Sequence, residues 1–380
     1  IWKEITDVIE VNRELNLGSI DYYLNNIDQI LEQNGGDWGK ASVEYKLIDS
    51  LVKRGDLEKY FKEEYSRDEN ELKHVDYRDY FKSKENNNEE NTVAVINILG
   101  PIIDGYQTSG AASGDNISAL FDKALKNEQV KAIVVRVNTP GGSVFASELI
   151  RDALIRVKEK NIPVVTSMGG VAASGGYWVA ASTDYIFAED LTITGSIGVA
   201  SVIFNAEETF NKIGLNEDGV SSSVFSDTYR GIYSKRPDER LINLNKIIIQ
   251  NIYDKFINLV SEGRNMSIED VNKLAKGQVW IGKDALKFNL IDEMGSLDDA
   301  IEKAANLAEI DKYDVERIYK KKSRFSNFLP FLMNEIDMKN EILNKNLDIE
   351  YRLEALFTNI RNYNDPKALY YLCGTCLFIN

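Results

Sequence analysis

Histidine is almost absent from this chain, which limits the kinds of catalytic site that the sequence can build. The single histidine among the 380 residues, His74, lies in the charged stretch ELKHVDYRDYF. Because such stretches are typical of solvated surface, we expect a surface or interface histidine there. A Ser-His-Asp triad is therefore not expected, and a serine nucleophile would need a different base.

Cysteine is nearly as scarce, which argues against a metal site. Cys373 and Cys376 form one CxxC close to the end of the sequence. A structural zinc ion takes four ligands, and His74 is the only other soft ligand that the chain offers. We therefore expect no intramolecular metal and no cofactor. A disulfide, or a site shared between subunits, stays open for this pair.

The sequence also lacks an excess of basic residues and any long apolar run. Its net charge is −15 and its isoelectric point is near 4.8, so we expect no nucleic-acid partner. No run of 18 apolar residues is present, so a membrane-spanning segment would lie outside this sequence. Residues 325–333, aromatic and apolar after a basic run, could touch a membrane surface or pack on the body of the protein.

The most informative stretch that is present is SMGGVAASGGYW at 167–178, which sets Ser174 among small residues. The apolar residues 162–165 before it predict a buried strand, and residues 177–181 are compatible with a helix. Ser174 is therefore expected at a helix N-terminus, where free N–H groups and the helix dipole favour developing negative charge. A serine nucleophile is one interpretation, and an ordinary N-cap serine is the other.

A second glycine-rich turn precedes this stretch. Residues 131–137 predict a buried strand, and Asn138-Thr-Pro-Gly-Gly-Ser143 follows it directly, ahead of a predicted helix. Because parallel strands bring their carboxyl ends to one edge of a sheet, the N–H groups of Gly142 and Gly175 could form an oxyanion hole. Neither glycine turn contains the GxxxxGK[ST] pattern of a phosphate-binding loop.

Three motifs in this order and spacing, VRVNTPGGSVFASELIRDAL, SMGGVAASGGYW and LTITGSIGV, resemble the signal peptide peptidase (protease IV) family. The likeness covers about residues 93–310 and, more weakly, the flanking segments. It implies an α/β fold, the ββα spiral of Clp proteases and crotonases. It also implies Ser174 as the nucleophile, Gly142 and Gly175 as the oxyanion-hole donors, and Ser196 as the serine that hydrogen-bonds a catalytic lysine.

That catalytic lysine is missing from the position where short members of the family carry it, because residues 227–230 are DTYR. Arg230 cannot substitute, since a guanidinium does not deprotonate in proteins. Lys235 is poorly suited to act as the base, because it lies beside Arg236 on a charged segment. In long members two related repeats divide the work, and the lysine belongs to the first repeat.

The chain carries the internal similarity that a long member should show. Residues 39–49 (GKASVEYKLID) align with 282–292 (GKDALKFNLID), and residues 5–16 resemble 256–267. About 190 residues separate Val93 from Gly282, whereas 38 precede Gly39. We therefore expect an N-terminally truncated first repeat that lacks roughly 150 residues, the catalytic lysine among them.

Four parts follow from this alignment. Residues 1–81 would be the C-terminal remainder of the first repeat, and 82–92 a polar linker. Residues 93–318 would form the second repeat, the peptidase domain, with a strand at 93–99 and helices near 117–125, 238–263 and 296–308. Residues 319–380 would be a mainly helical extension that ends in the CxxC.

The helix expected at 238–263 has apolar residues at helical spacing, which predicts core packing, with a subunit interface as the alternative. The predicted stripe consists of Leu241, Leu244, Ile248, Ile252, Phe256 and Leu259.

The resulting hypothesis is a serine endopeptidase that degrades released signal peptides and other short apolar peptides with a Ser-Lys dyad. The resemblance further implies a homo-oligomer and a membrane anchor outside this sequence, with the catalytic domain on the periplasmic or extracytoplasmic side of the inner membrane. Two alternatives stay open: a crotonase-like acyl-CoA enzyme and a non-catalytic peptide-binding scaffold. We expect this chain alone to have little or no peptidase activity.

Overall fold

The computed structural model describes residues 2–52, 89–106, 110–201, 207–214 and 239–319, the backbone of 369–372, and positions 56, 57, 60, 61, 63, 75 and 80. The chain divides into two compact units, Ile1–Asn86 and Asn87–Asn380. Several residues singled out in the sequence lie outside the described part: His74, Arg230, Lys235, residues 325–333, Cys373 and Cys376.

The first unit is helical in its described part. Its helices are α1 (Trp2–Asn12), α2 (Ser19–Asn25), α3 (Ile27–Gln33) and α4 (Trp38–Glu44). Tyr23, Ile30 and Ala41 form a small buried core. The carboxylate of Glu10 is buried in α1 and accepts hydrogen bonds from the backbone N–H groups of Gly18 and Ile20. This carboxylate therefore satisfies free donors at the start of α2, which its own residues leave uncapped.

The second unit alternates strands and helices. Its strands are β1 (Thr92–Leu99), β2 (Ile102–Ile103), β3 (Ala112–Ser113), β4 (Val130–Thr139), β5 (Gly141–Ser143), β6 (Val164–Ala173), β7 (Tyr185–Ala188), β8 (Ile193–Gly195), β9 (Ala200–Ser201), β10 (Val279–Ile281), β11 (Glu293–Met294), β12 (Asp314–Ile318) and β13 (Leu369–Leu372). Its helices are α5 (Gly114–Leu125), α6 (Val144–Lys158), α7 (Gly175–Ala180), α8 (Glu207–Lys212), α9 (Glu239–Arg264), α10 (Ile268–Leu274), α11 (Gly282–Lys287) and α12 (Leu297–Leu307).

An 8-stranded sheet forms the centre of this unit, in the order β10-β8-β6-β4-β1-β12, with β7 paired to β6 and β11 paired to β7. All of these pairs are parallel except β10 with β8. Alternate residues of β1 enter two cores: Ala94 and Ile96 pack on one face, Val93 and Val95 on the other. Burial on both faces explains why these strands are continuous apolar runs in the sequence.

A smaller 5-stranded sheet has the order β3-β2-β5-β13-β9. The chain passes twice through the same series of elements: a strand of the large sheet, short strands of the small sheet and a helix. The first series is β1-β2-β3-α5 and the second is β4-β5-α6. This arrangement confirms the α/β fold, with its repeated strand-strand-helix units. The two strand-to-helix turns of interest, after β4 and after β6, lie side by side because β4 pairs with β6.

Three details differ from the sequence-based expectations. β6 continues through Gly169 and Gly170 to Ala173, since β4 and β8 pair with it there. In α9 the predicted stripe is buried at Leu241 and Phe256, but Leu244 is exposed. In the extension expected to be mainly helical, Leu369–Leu372 form a strand, β13, that the sequence did not predict.

The two segments that align in sequence share an ion pair. In the second unit Arg264 forms a bidentate pair with Asp292, with both N–O distances 2.8 Å. In the first unit Arg13 contacts Asp49 in the same way, at 2.9 and 3.3 Å. Each arginine also donates from Nε to a backbone carbonyl three residues before its aspartate, at 2.8 Å in both units.

The backbone repeats as well. Glu14 and Asn265 occupy corresponding positions after α1 and α9 and have left-handed φ angles of 52° and 49°. Lys46 and Asn289 correspond after α4 and α11 and have φ angles of 56° and 58°. The similarity in sequence therefore extends to local structure, even at positions where a non-glycine residue is uncommon.

Candidate active site

Ser174 lies between β6 and α7, with φ 53° and ψ −113°. Its backbone N–H donates to the carbonyl oxygen of Gly195 at 2.9 Å, and its own carbonyl accepts from the N–H of Trp178 at 2.9 Å. A left-handed conformation at a non-glycine residue costs on the order of 1–3 kcal/mol and persists only where the surroundings impose it. Here the two backbone hydrogen bonds hold the strained turn.

Close packing beneath α7 explains the small residues that follow Ser174. A Cβ at Gly176 would lie 2.6 Å from Cγ2 of Thr139, so α7 approaches β4 more closely than a larger residue allows. Tyr177 anchors the same helix, since its buried hydroxyl donates to the carbonyl of Leu290 at 2.7 Å. Burial raises the pKa of Tyr177, so this hydroxyl keeps its proton.

The side chain of Ser174 does not act as an ordinary cap. Ser174 is fully buried, and among the described residues its Oγ has no hydrogen-bond partner. It makes no cap hydrogen bond to α7, and its φ angle lies outside the extended region that N-cap residues usually adopt. The hydroxyl is thus buried and without a partner among the described residues, at the kind of strand-to-helix turn that carries the nucleophilic serine in other hydrolases.

Gly142 lies on β5, directly after β4. Thr139 of β4 pairs with Ala172 of β6, so Gly142 and Ser174 follow neighbouring positions of adjacent parallel strands. A Cβ at Gly142 would collide with the carbonyl oxygen of Ile102 on β2, so this position needs glycine. Gly142 and Gly175 therefore lie at the same edge of the sheet, as an oxyanion hole requires.

Side chains hold the β5 turn in place. The backbone N–H of Gly141 donates to Oγ1 of Thr139 at 3.1 Å. Oγ of Ser143 accepts from the N–H of Ala146 at 3.1 Å, which caps α6, and donates to Oδ1 of Asp104 at 2.9 Å. These bonds preorganise the backbone around Gly142, which lowers the cost of aiming its N–H at a substrate.

Ser196 follows β8 and also has a left-handed backbone, with φ 49°. Its N–H donates to the carbonyl of Gln278 at 2.7 Å, and the residue is buried. Because Ala173 pairs with Gly195, Ser174 and Ser196 each follow one member of the same parallel pair. The structure thus brings Ser174, Gly175, Gly142 and Ser196 to one edge of the sheet, while Lys235 lies outside the described residues.

Two residues that position this site were not assigned a role from the sequence. Asp104 bonds to Ser143, and Oδ1 of Asn138 accepts from the N–H of Val171 at 3.0 Å, which ties β4 to β6. Asn138 opens the glycine motif NTPGGS, so its position was a usable signal. Asp104 lies outside any motif, and only the fold brings it to β5.

Metal and membrane features are absent from the described part of the chain. Within it, no three His, Cys, Asp or Glu side chains are grouped as a metal site would require. In the same residues, no helix combines the length and the hydropathy that crossing a bilayer demands.

Comparisons with known proteins place the chain in a family. The family model described as Peptidase family S49 matches residues 156–311, and the Clp protease model matches residues 107–187. The chain is 33% identical to Protease 4 of Salmonella typhi over 384 residues, which cover 99% of this chain and 62% of that protein. It is 29% identical to a putative signal peptide peptidase SppA of Enterococcus faecium, covering 68% of this chain and 73% of the relative.

A putative protease of Synechocystis sp. is 36% identical over 212 residues, covering 55% of this chain and 75% of that relative. The chain thus spans a little over three fifths of the Salmonella protein and about three quarters of the two shorter relatives. The family resemblance that the three motifs predicted is confirmed. Since the S49 model matches, and the chain covers three quarters of the 36% identical Synechocystis protease, the chain belongs to peptidase family S49.

Proposed function

We propose that the intact protein is a serine endopeptidase of the Ser-Lys type and that this chain supplies the nucleophile, Ser174. The observation that carries the proposal is the backbone of Ser174, left-handed between β6 and α7, with a buried Oγ that has no partner among the described residues. The chemistry of the neighbouring backbone agrees, since Gly142 and Gly175 offer N–H groups at the same sheet edge. Membership of a peptidase family supports the same reaction class.

In the proposed reaction, Oγ of Ser174 attacks the carbonyl carbon of the scissile peptide bond while a neutral lysine takes the hydroxyl proton. The N–H groups of Gly142 and Gly175 stabilise the oxyanion of the tetrahedral intermediate. The C–N bond then breaks, and the leaving amine takes the proton from the lysine. A water molecule then attacks the acyl-enzyme while the same lysine takes its proton; the ester C–O bond breaks, and that proton passes from the lysine to Oγ of Ser174.

The lysine is proposed to come from a first repeat outside this sequence, as in the two-repeat members that the chain resembles. One observation supports this source: the first unit repeats the Arg264–Asp292 ion pair through Arg13 and Asp49. Ser196 would orient the lysine, whose burial would lower its pKa far enough for it to act as a base.

The proposed substrates are released signal peptides and other short apolar peptides, as the name of the Enterococcus relative suggests for that protein. The proposed location is the extracytoplasmic face of the inner membrane, with an anchor outside this sequence. A homo-oligomer is part of the same proposal, and the exposed apolar residues Ile242, Leu244 and Ile247 of α9 offer a surface for it.

The test is labelling with a phosphonylating serine probe, followed by peptide mapping. It compares this chain with a longer version of the protein that includes the upstream repeat. We expect labelling of Ser174 in the longer version, its loss in Ser174→Ala, and its retention in Ser118→Ala, which alters another buried serine on α5. Labelling of this chain alone that disappears in Lys235→Ala would assign the base to Lys235. Absence of labelling in both versions would contradict the nucleophile.

A further inference from the structure

Strand β13 comes from the far C-terminal part of the chain and lies beside the candidate active site. It is antiparallel to β5, with Tyr370 opposite Ser143, Tyr371 opposite Gly142, and Leu372 opposite Gly141. Its other edge pairs with β9, where Leu369 lies opposite Ser201 and Tyr370 opposite Ala200. The backbone of β13 also lies close to α6 and α7. The C-terminal segment therefore fills the space between two strand edges at the level of Gly142.

The other edge of β5 is paired with β2, so an extended substrate can add a strand to β5 only at the edge that β13 occupies. A peptide whose scissile carbonyl receives the N–H of Gly142 must bring its backbone alongside that residue. Strand addition supplies binding through main-chain hydrogen bonds, whatever the side chains of the peptide. Each backbone donor or acceptor on this edge of β5 can serve one strand at a time, so β13 and a substrate strand exclude each other.

The composition of the C-terminal segment suits it to this position. Residues 368–380 (ALYYLCGTCLFIN) contain no charged side chain, although 28% of the whole chain is charged. The two tyrosines at 370 and 371 favour extended backbone. The segment thus shares the uncharged, apolar character of the proposed substrates. Because it is tethered, its effective concentration at the site can reach the millimolar range.

We propose that the C-terminal segment around Leu369–Leu372 is a built-in occupant of the substrate strand position, and that it must leave β5 before a peptide substrate can bind. The docking of β13 on β5 does not depend on catalysis, whereas the competition between β13 and a substrate rests on the proposed peptidase function. Docking and competition are therefore tested by separate measurements.

The first measurement is hydrogen exchange by mass spectrometry in the full chain. Tyr371→Pro removes a backbone N–H and introduces a residue that is excluded from central strands, whereas Tyr371→Phe keeps the strand and serves as the matched control. We expect faster exchange of the amides at 141–143 and 200–201 in Tyr371→Pro, and native rates in Tyr371→Phe. Equal exchange in all three proteins would overturn the docking of β13, whatever the activity.

The second measurement is the rate at which the serine probe labels Ser174 in the longer version of the protein. If the segment covers β5 about 90% of the time, its release raises the rate about tenfold, because the competent fraction rises by that factor. A synthetic peptide of residues 367–374 added to Tyr371→Pro should restore the protection at 141–143 and slow the labelling again. This peptide added in excess to the unaltered protein gives a test that does not depend on folding of the variant.

The outcomes separate the two proposals. Faster exchange together with faster labelling supports a competing strand. Faster exchange with unchanged or slower labelling overturns the competition and makes β13 a structural part of the site. Faster exchange with no labelling of Ser174 in either the unaltered protein or Tyr371→Pro supports the docking but contradicts the proposed peptidase.

Discussion

The backbone N–H of Ser174 donates to the carbonyl oxygen of Gly195 at 2.9 Å, and this bond joins the turn after β6 to the end of β8. The residues that follow the two strands, Ser174 and Ser196, both have left-handed backbones, with φ 53° and 49°. Two strained serines at adjacent strand ends are unusual, since a non-glycine residue seldom adopts this conformation. Strain of this kind concentrates at functional sites.

The strain at Ser174 predicts a difference between two variants that both remove the hydroxyl. Ser174→Gly relieves the left-handed backbone, whereas Ser174→Ala keeps it. We expect the glycine variant to be more stable than the alanine variant by about 1–3 kcal/mol, the cost of holding a non-glycine residue in this sparsely populated region. Urea denaturation followed by circular dichroism measures this difference. An alanine variant as stable as the glycine variant would contradict a strained turn.

The close approach of Gly142 to Ile102 predicts that alanine cannot replace this glycine. In Gly142→Ala the new Cβ collides with the Ile102 carbonyl oxygen, so β5 must shift. The N–H of residue 142 then no longer points at the oxyanion. We expect labelling of Ser174 in the longer protein to fall by about 100-fold, the typical effect of losing one oxyanion donor.

A matched control for this variant lies on β6. In Gly170→Ala the Cβ would meet only Oδ1 of Asn138, at 3.9 Å, so labelling should stay near the unaltered rate. Equal rates for the Gly142 and Gly170 variants would show that the N–H of Gly142 does not contact the oxyanion.

The two corresponding ion pairs should differ greatly in their effects on stability. The side chain of Arg264 is 5% exposed, and Asp292 also accepts from the N–H of Ile186, so Asp292→Ala leaves a buried charge unpaired. We expect the free energy of unfolding to fall by about 3–5 kcal/mol. Asp49 is 88% exposed, so Asp49→Ala should change the stability of this chain little. Chemical denaturation measures the free energy of unfolding of both variants. Similar losses in Asp292→Ala and Asp49→Ala would contradict the expected difference between the two ion pairs.

The Arg13–Asp49 pair also predicts a pH dependence. The hydrogen bond and the charge of Arg13 lower the pKa of Asp49 below its usual range. A lowered folded-state pKa means that the pair stabilises the fold above the unfolded-state pKa and stops doing so as the pH falls through the folded value. Titration of the carboxyl carbon by NMR should show this pKa rising toward its usual range in Arg13→Gln. It should be unchanged in Lys3→Gln, and an identical pKa in the Arg13 variant would refute the pair.

Much of the second unit could be predicted from periodicity. The strand expected at 93–99 is observed at Thr92–Leu99, and the helix expected at 238–263 is observed at Glu239–Arg264. The strand expected at 162–165 is observed at Val164–Ala173, because pairing with β4 and β8 extends β6 through the glycines. Leu244 matched the helical stripe but lies exposed. For β6 the deciding contacts come from strands distant in sequence.

The sequence by itself determined the α/β class, the family and the residue types at the site, because buried strands, glycine turns and a lone histidine leave clear local patterns. Only the tertiary structure decided that Ser174 has a left-handed backbone, that Asp104 supports β5 through Ser143, and that β13 lies beside Gly142. The physical reason is that hydrogen bonds between distant segments impose these features. Local sequence constrains which conformations a residue can adopt, and its distant partners select among them.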